Sequence, residues 1–134
     1  MPLVPEAYEE AWKIDKSVRR MAETVFQEWR TKTKNAEATW ELQRLIESKQ
    51  DPDKALSVIL GIMALDNKGE EADLLGAGPL EDFLNYSGPE YMDVLEKLVD
   101  KNSHFKKVLG HVWQTAKMDV KVWERIERRR NKPD

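Results

Sequence analysis

Asp51-Pro52-Asp53-Lys54-Ala55-Leu56-Ser57-Val58-Ile59-Leu60-Gly61-Ile62-Met63-Ala64-Leu65 carries a helix start followed by an apolar run. Asp51 suits the cap position, where its carboxylate accepts from a free N–H of the first turn. Pro52 suits the first helical position, which needs no N–H and has its φ already set. Asp53 puts negative charge at the positive end of the helix dipole. Beyond it the apolar residues fall on nearly every side of a helical wheel, the pattern of a helix buried at the centre of a domain. Leu56, Ile59, Leu60 and Met63 are therefore expected in the core. Gly61 costs about 1 kcal/mol relative to Ala, which makes sense if a neighbouring helix comes close there. The run is interrupted by Ser57 and Gly61 and falls short of the roughly 20 apolar residues that cross a bilayer.

Working outward, strand signals are almost absent and helical spacing recurs. Tyr8, Ala11, Trp12, Val18, Met21, Ala22, Val25, Phe26 and Trp29 follow three- and four-residue steps, with Ser17 a place where that stretch can divide. Thr31 to Asn35 reads as a turn, and Ala38, Leu42, Leu45 and Ile46 as the next helix. After the central helix, Asn67-Lys68-Gly69 is a stop, and a short helix from Glu70 ends at Gly76. Pro79 opens another that closes near Ser87-Gly88, and Pro89 opens the next, with Tyr91, Met92, Val94, Leu95, Leu98 and Val99 as its apolar set. Asn102-Ser103 caps a helix carrying Phe105, Val108, Leu109, Val112 and Trp113. A last helix carries Met118, Val120, Val122, Trp123 and Ile126, and residues 128–134 are expected to fray. The expectation is an all-α fold in one domain over residues 1–134. It takes the form of an irregular helical bundle or a short superhelical stack of about seven to eight antiparallel helices.

The composition agrees. Of 134 residues, 40% are apolar and 35% charged, and five are tryptophans, large rings seldom idle in a small domain. There is no cysteine, which excludes disulfides, thiolate metal sites and a cysteine nucleophile. The first ten residues lack the basic and apolar regions of a signal peptide, so a cytoplasmic, non-membrane protein is expected. Charge is uneven: Asp66 to Asp100 holds ten acids and two bases, whereas Lys121 to Asp134 holds six bases and three acids. An acidic middle precedes a basic end.

Four motifs stand in order: Asp51-Pro52-Asp53-Lys54-Ala55; Leu75-Gly76-Ala77-Gly78-Pro79-Leu80-Glu81-Asp82-Phe83-Leu84; Asp93-Val94-Leu95-Glu96; and Phe105-Lys106-Lys107-Val108-Leu109-Gly110-His111-Val112-Trp113. Together they resemble a family of short, uncharacterised bacterial helical proteins, a domain of unknown function. Its members carry a Pro-(acid)-x-Ala helix start, an Ala-Gly-Pro-Leu-Glu-Asp block and a later Phe…Leu…Val-Trp helix. The resemblance spans about residues 51–113, with Gly76, Gly78, Pro79, Leu80, Glu81 and Trp113 as its structural motif. It implies an all-helical fold and a bacterial or phage origin, and it brings no activity with it.

The candidate chemistry is sparse. Glu81 and Asp82 are adjacent on a helix and point about 100° apart, so they do not converge as a catalytic pair unaided. With Pro79 at the first helical position, Glu81 is placed to satisfy a backbone N–H at the helix start while Leu80 and Phe83 face the core. Gly76-Ala77-Gly78 lacks the spacing of a phosphate loop, and the two acids after it repel an anion. His104 and His111 lie about 10 Å apart along a helix, too far to share an ion. No serine sits in a nucleophile elbow. Neither metal nor cofactor is called for. The basic tail, Arg125, Arg128, Arg129, Arg130 and Lys132, complements the negative end of its helix and has no groove-reading motif beside it, so nucleic acid is the weaker reading.

Two function classes stay open. The first is a protein-interaction module, in its sharp form an immunity or inhibitor protein masking a bacterial or phage partner. Glu81, Asp82, Glu90, Asp93, Glu96 and Asp100 would form the partner-facing side and steer a basic protein. The second is a small hydrolase-type enzyme using Glu81, Asp82 and His111, with weak nucleic-acid binding through the basic tail as a further alternative.

Overall fold

The computed structural model describes residues 2–132. Among them the chain forms helices and turns without strand: α1 (Pro5–Ile14), α2 (Lys16–Thr31), α3 (Glu37–Ser48), α4 (Pro52–Leu65), α5 (Ala72–Leu75), α6 (Glu81–Lys101), α7 (Ser103–Leu109) and α8 (Val120–Arg130). A π-helical turn, Gly76–Leu80, joins α5 to α6. The architecture is an all-α helical bundle.

The central helix is α4. Every residue from 55 to 63 is buried, and α1, α2, α3 and α6 pack around it. Asp51 caps it, accepting from Lys54 N–H at 3.1 Å. A Cβ at Gly61 would stand 2.9 Å from the Cβ of Trp12 and 3.0 Å from that of Ala22. The missing side chain is what lets α1 and α2 both lie against α4.

Asp53 does more than complement the dipole. The hydroxyls of Tyr8 and Tyr91 each donate to its Oδ1 at 2.6 Å, and the Leu3 N–H donates to the Tyr8 hydroxyl at 2.7 Å. Tyr91 also meets Phe83 and Tyr8 edge-on, at 5.2 and 6.3 Å between centroids. This knot ties the chain before α1 to α1, α4 and α6. Burial, and then the Asp53 carboxylate, push the Tyr8 hydroxyl up to about 12 and raise that of Tyr91 as well.

The first helical stretch divides at Asp15, whose side chain caps α2 by accepting from the N–H groups of Ser17 and Val18. The start of α3 has no side-chain cap of its own. Glu28 reaches over from α2, accepting from the N–H groups of Ala38 and Thr39 at 2.9 Å and from the Thr39 hydroxyl at 2.7 Å. Burial works to raise the Glu28 carboxyl, but these bonds outweigh it and hold the group below its usual value.

Two expected helix breaks do not occur. α5 does end at Leu75, before Gly76, but the chain does not leave helical geometry there, and Pro79 does not open a separate helix, because the chain runs through the π turn into α6. The wider turn accommodates a residue that cannot donate to the α ladder. Ser87-Gly88 and Pro89 also leave the helix whole, and α6 continues to Lys101. Phe83, Leu84, Tyr91 and Met92 are buried on both sides of Pro89, and their packing offsets the roughly 3 kcal/mol an interior proline costs. Gly76 is required by contact: its backbone is right-handed, and a Cβ there would fall 2.2 Å from the Val108 carbonyl oxygen and 2.7 Å from the His111 Cβ. Leu80 and Phe83 are fully buried, as expected.

Asn102 caps α7, accepting from the Phe105 N–H at 3.1 Å. α8 packs along α6 and stays helical to Arg130, three residues into the stretch expected to fray. Arg130 secures that end. It donates to the carbonyls of Val112 and Gly110 at 2.9 and 3.0 Å and lies over the Trp123 ring at 5.4 Å. Pro133 and Asp134 lie outside the described residues. Among the described residues no helix is long and apolar enough to cross a membrane.

Candidate functional site

The acids of the middle segment divide by what they meet. Asp93, Glu96 and Asp100, spaced along one face of α6, lie against α8. Arg125 pairs with Asp93 at 2.7 Å and with Glu96, and Arg129 pairs with Asp100 at 3.1 Å and reaches Glu96 at 4.0 Å. The hydrogen bonds from Arg125 hold the Asp93 and Glu96 carboxyls below their usual values, and the two carboxylates raise the guanidinium in turn. Glu70 and Glu71 face Arg30 at 3.5 and 3.6 Å. Asp66 is buried and accepts from the N–H groups of Glu70 and Glu71. Glu90 is exposed beside Pro89. The acidic middle and the basic end thus neutralise each other across the α6–α8 seam. Arg125, Arg129 and Arg130 are engaged by other parts of the fold.

The start of α6 is different. Glu81 does not cap its own helix. The helical run through the π turn leaves no free N–H there, and Glu81 Oε1 instead accepts from the Trp113 N–H at 2.8 Å. Glu81 therefore pins the segment after α7 to the start of α6. The Trp113 ring is not packed inside: it is 70% exposed. Asp82 is half-buried, and its carboxyl is raised by burial, then by Glu81 and Glu47, with Lys117 opposing. Lys117 in turn donates to the Tyr86 hydroxyl at 3.1 Å, and the Thr115 hydroxyl donates to Asn85 Oδ1 at 2.7 Å. The first two turns of α6 and residues 113–117 form one polar surface with an indole at its edge.

What this surface can do follows from its charges. Asp82 is an acid under repulsion with no hydrogen bond among the described residues, so a cation brought to it gains more than at an ordinary surface carboxylate. Of the three residues of the enzyme alternative, Glu81 accepts from the Trp113 N–H, Asp82 has its carboxyl raised, and the His111 Cβ lies against Gly76. Among the described residues no group of three or more His, Asp or Glu side chains is placed to hold a metal ion. Sequence reasoning missed Lys117, Thr115 and Asn85. The two residues that come from the irregular segment lie 30 and 31 positions from their partners, so no local spacing marks them.

No curated protein and no solved structure matches the chain. The motifs from Asp51 to Trp113 lie inside the stretch, residues 28–133, that is matched by the model of a family of unknown function, DUF6869, and the chain belongs to that family.

Proposed function

We propose that this protein is a protein-interaction module that engages a basic partner through the start of α6 and the segment after α7. The observation that supports it is the state of Asp82, half-buried, with the charges of Glu81 and Glu47 acting on it and Lys117 in opposition. A lysine or arginine of a partner would relieve that repulsion. The exposed Trp113 ring beside it offers both an apolar anchor and a face for the same cation. In its finer form the reading is an immunity or inhibitor protein, acting in the cytoplasm of a bacterial or phage-infected cell, that masks a basic active site.

The test is affinity capture from the native cell with the parent chain, Asp82→Lys and Trp113→Ala in parallel. The expected result is a partner held by the parent and lost from both variants, with an association rate that falls as salt rises. A partner held equally by all three rejects this surface. A second reading rests on the same carboxyl, since a raised acid near a lysine and a tyrosine suits proton transfer in a small hydrolase-type enzyme. Turnover that survives Asp82→Asn removes that reading.

A further inference from the structure

A groove of about 650 Å³ lies between α2 and α3, over the first turn of α4. That volume is in the range of sites that take ligands or side chains. Its walls carry opposite charges. Lys16 and Arg20 stand on α2, Glu37 and Glu41 on α3, and Lys54 comes from α4. Each pair on a wall is four residues apart, so its members lie one turn from each other on one helix face. Among the described residues none of these four helix charges is in an ion pair. The Lys54 ammonium donates to the Ser17 hydroxyl at 2.7 Å. Glu28, the remaining carboxylate at the groove, has both oxygens bonded to the start of α3 and does not neutralise the basic wall. Met21 adds an apolar patch between the rows.

Two unpaired rows of opposite sign across one groove select for a particular occupant. A ligand of single charge gains from one wall and is repelled by the other. A segment with carboxylates along one edge and cations along the other gains from both. We propose that this groove docks such an amphoteric segment of a partner protein, its acids against Lys16, Arg20 and Lys54 and its bases against Glu37 and Glu41. The inference is independent of the surface at Asp82. It also reaches beyond the family match, which begins at residue 28: the basic wall on α2 lies before it and the acidic wall within it.

The test titrates the isotope-labelled full chain with three blocked peptides of equal length. One carries Glu on one helical edge and Lys on the other, one has Glu at all those positions, and one has Lys. The expected result is saturable amide shifts confined to α2, α3 and the first turn of α4 with the mixed peptide, and binding about tenfold weaker for the other two. Arg20→Glu and Glu41→Lys should each weaken the mixed peptide by about tenfold without moving the thermal midpoint, since exposed charges contribute little to folding. The double exchange should bind no better than either single variant, because Lys16, Lys54 and Glu37 remain and each wall then carries both signs; a double variant that binds like the parent overturns the proposal. Equal affinity for the all-Glu peptide, shifts centred on Asp82, or no saturable shift overturns the proposal.

Discussion

At the start of α6, Asp82 feels the charges of Glu81 and Glu47 and has no hydrogen bond to its carboxylate among the described residues, whereas further along the same helix Asp93 and Glu96 share Arg125. The residues are of one chemical kind on one element, and their circumstances are opposite. The acids along α8 strengthen the fold. The acid at the start strains it, and its carboxyl moves in the opposite direction. A surplus of negative charge in a sequence is therefore not one surface. Folding neutralises what a basic helix can reach and leaves the rest concentrated, and the part left over is where a partner has most to gain.

The largest expected effect tests the ground both ends share. Leu84→Ala, on the fully buried face of α6, should cost about 2–5 kcal/mol in denaturant unfolding. A loss below about 1 kcal/mol would mean that the inward face of α6 is not core, and the two ends could not then be compared on one scaffold. Next, Glu96→Ala should cost about 1–2 kcal/mol, because it leaves Arg125 and Arg129 short of a partner at a seam only partly open to solvent. That cost should shrink as salt is added; a cost independent of salt would assign the α6–α8 seam to apolar packing alone.

Asp82→Asn should act with the other sign, stabilising by up to about 1 kcal/mol at neutral pH, since it removes a charge disfavoured first by burial and then by Glu81 and Glu47. The pH dependence sharpens this contrast. The Asp93 and Glu96 carboxyls are depressed in the fold, so the stability they contribute is complete above their unfolded values and is lost as pH falls through the folded ones. The Asp82 carboxyl is raised, so its strain disappears as pH falls through the folded value. The gap between Asp82→Asn and the parent should therefore close on acidification, and a gap that stays constant would show that Asp82 is not strained. The smallest effect is expected at Trp113→Ala, which should change stability by less than about 0.5 kcal/mol while removing partner capture. A larger loss would place the ring in the fold.

The sequence signals that worked were those in which one short stretch holds all the information. Asp51-Pro52 marked the start of α4, and the apolar circumference of that helix placed it at the centre. Gly61 announced a close neighbour without saying which, and Trp12 and Ala22 filled that place. The signal that failed was proline, and charge was legible only as a count. Pro79 and Pro89 read locally as helix openers, because a missing N–H says nothing about whether a π turn or a well-packed flank will carry the helix past it. Glu81 was placed at a cap by that same misreading and bonds Trp113 instead. The acidic middle and basic end were countable, but which acid meets which arginine depends on how α8 folds back along α6. The polar surface at Asp82 draws on Glu47, Lys117 and Tyr86, residues no spacing rule connects.

The tyrosine knot has a bearing on how the chain is made. Asp53 receives one hydroxyl from 45 residues before it and another from 38 residues after it. A nascent chain emerges N-terminus first, so Tyr8 and Asp53 are available well before Tyr91. Until α6 has left the ribosome, α4 lacks one of the helices that cover it and Asp53 lacks its second donor. The cover of α4 and the second donor to Asp53 are thus complete only once α6 has been made.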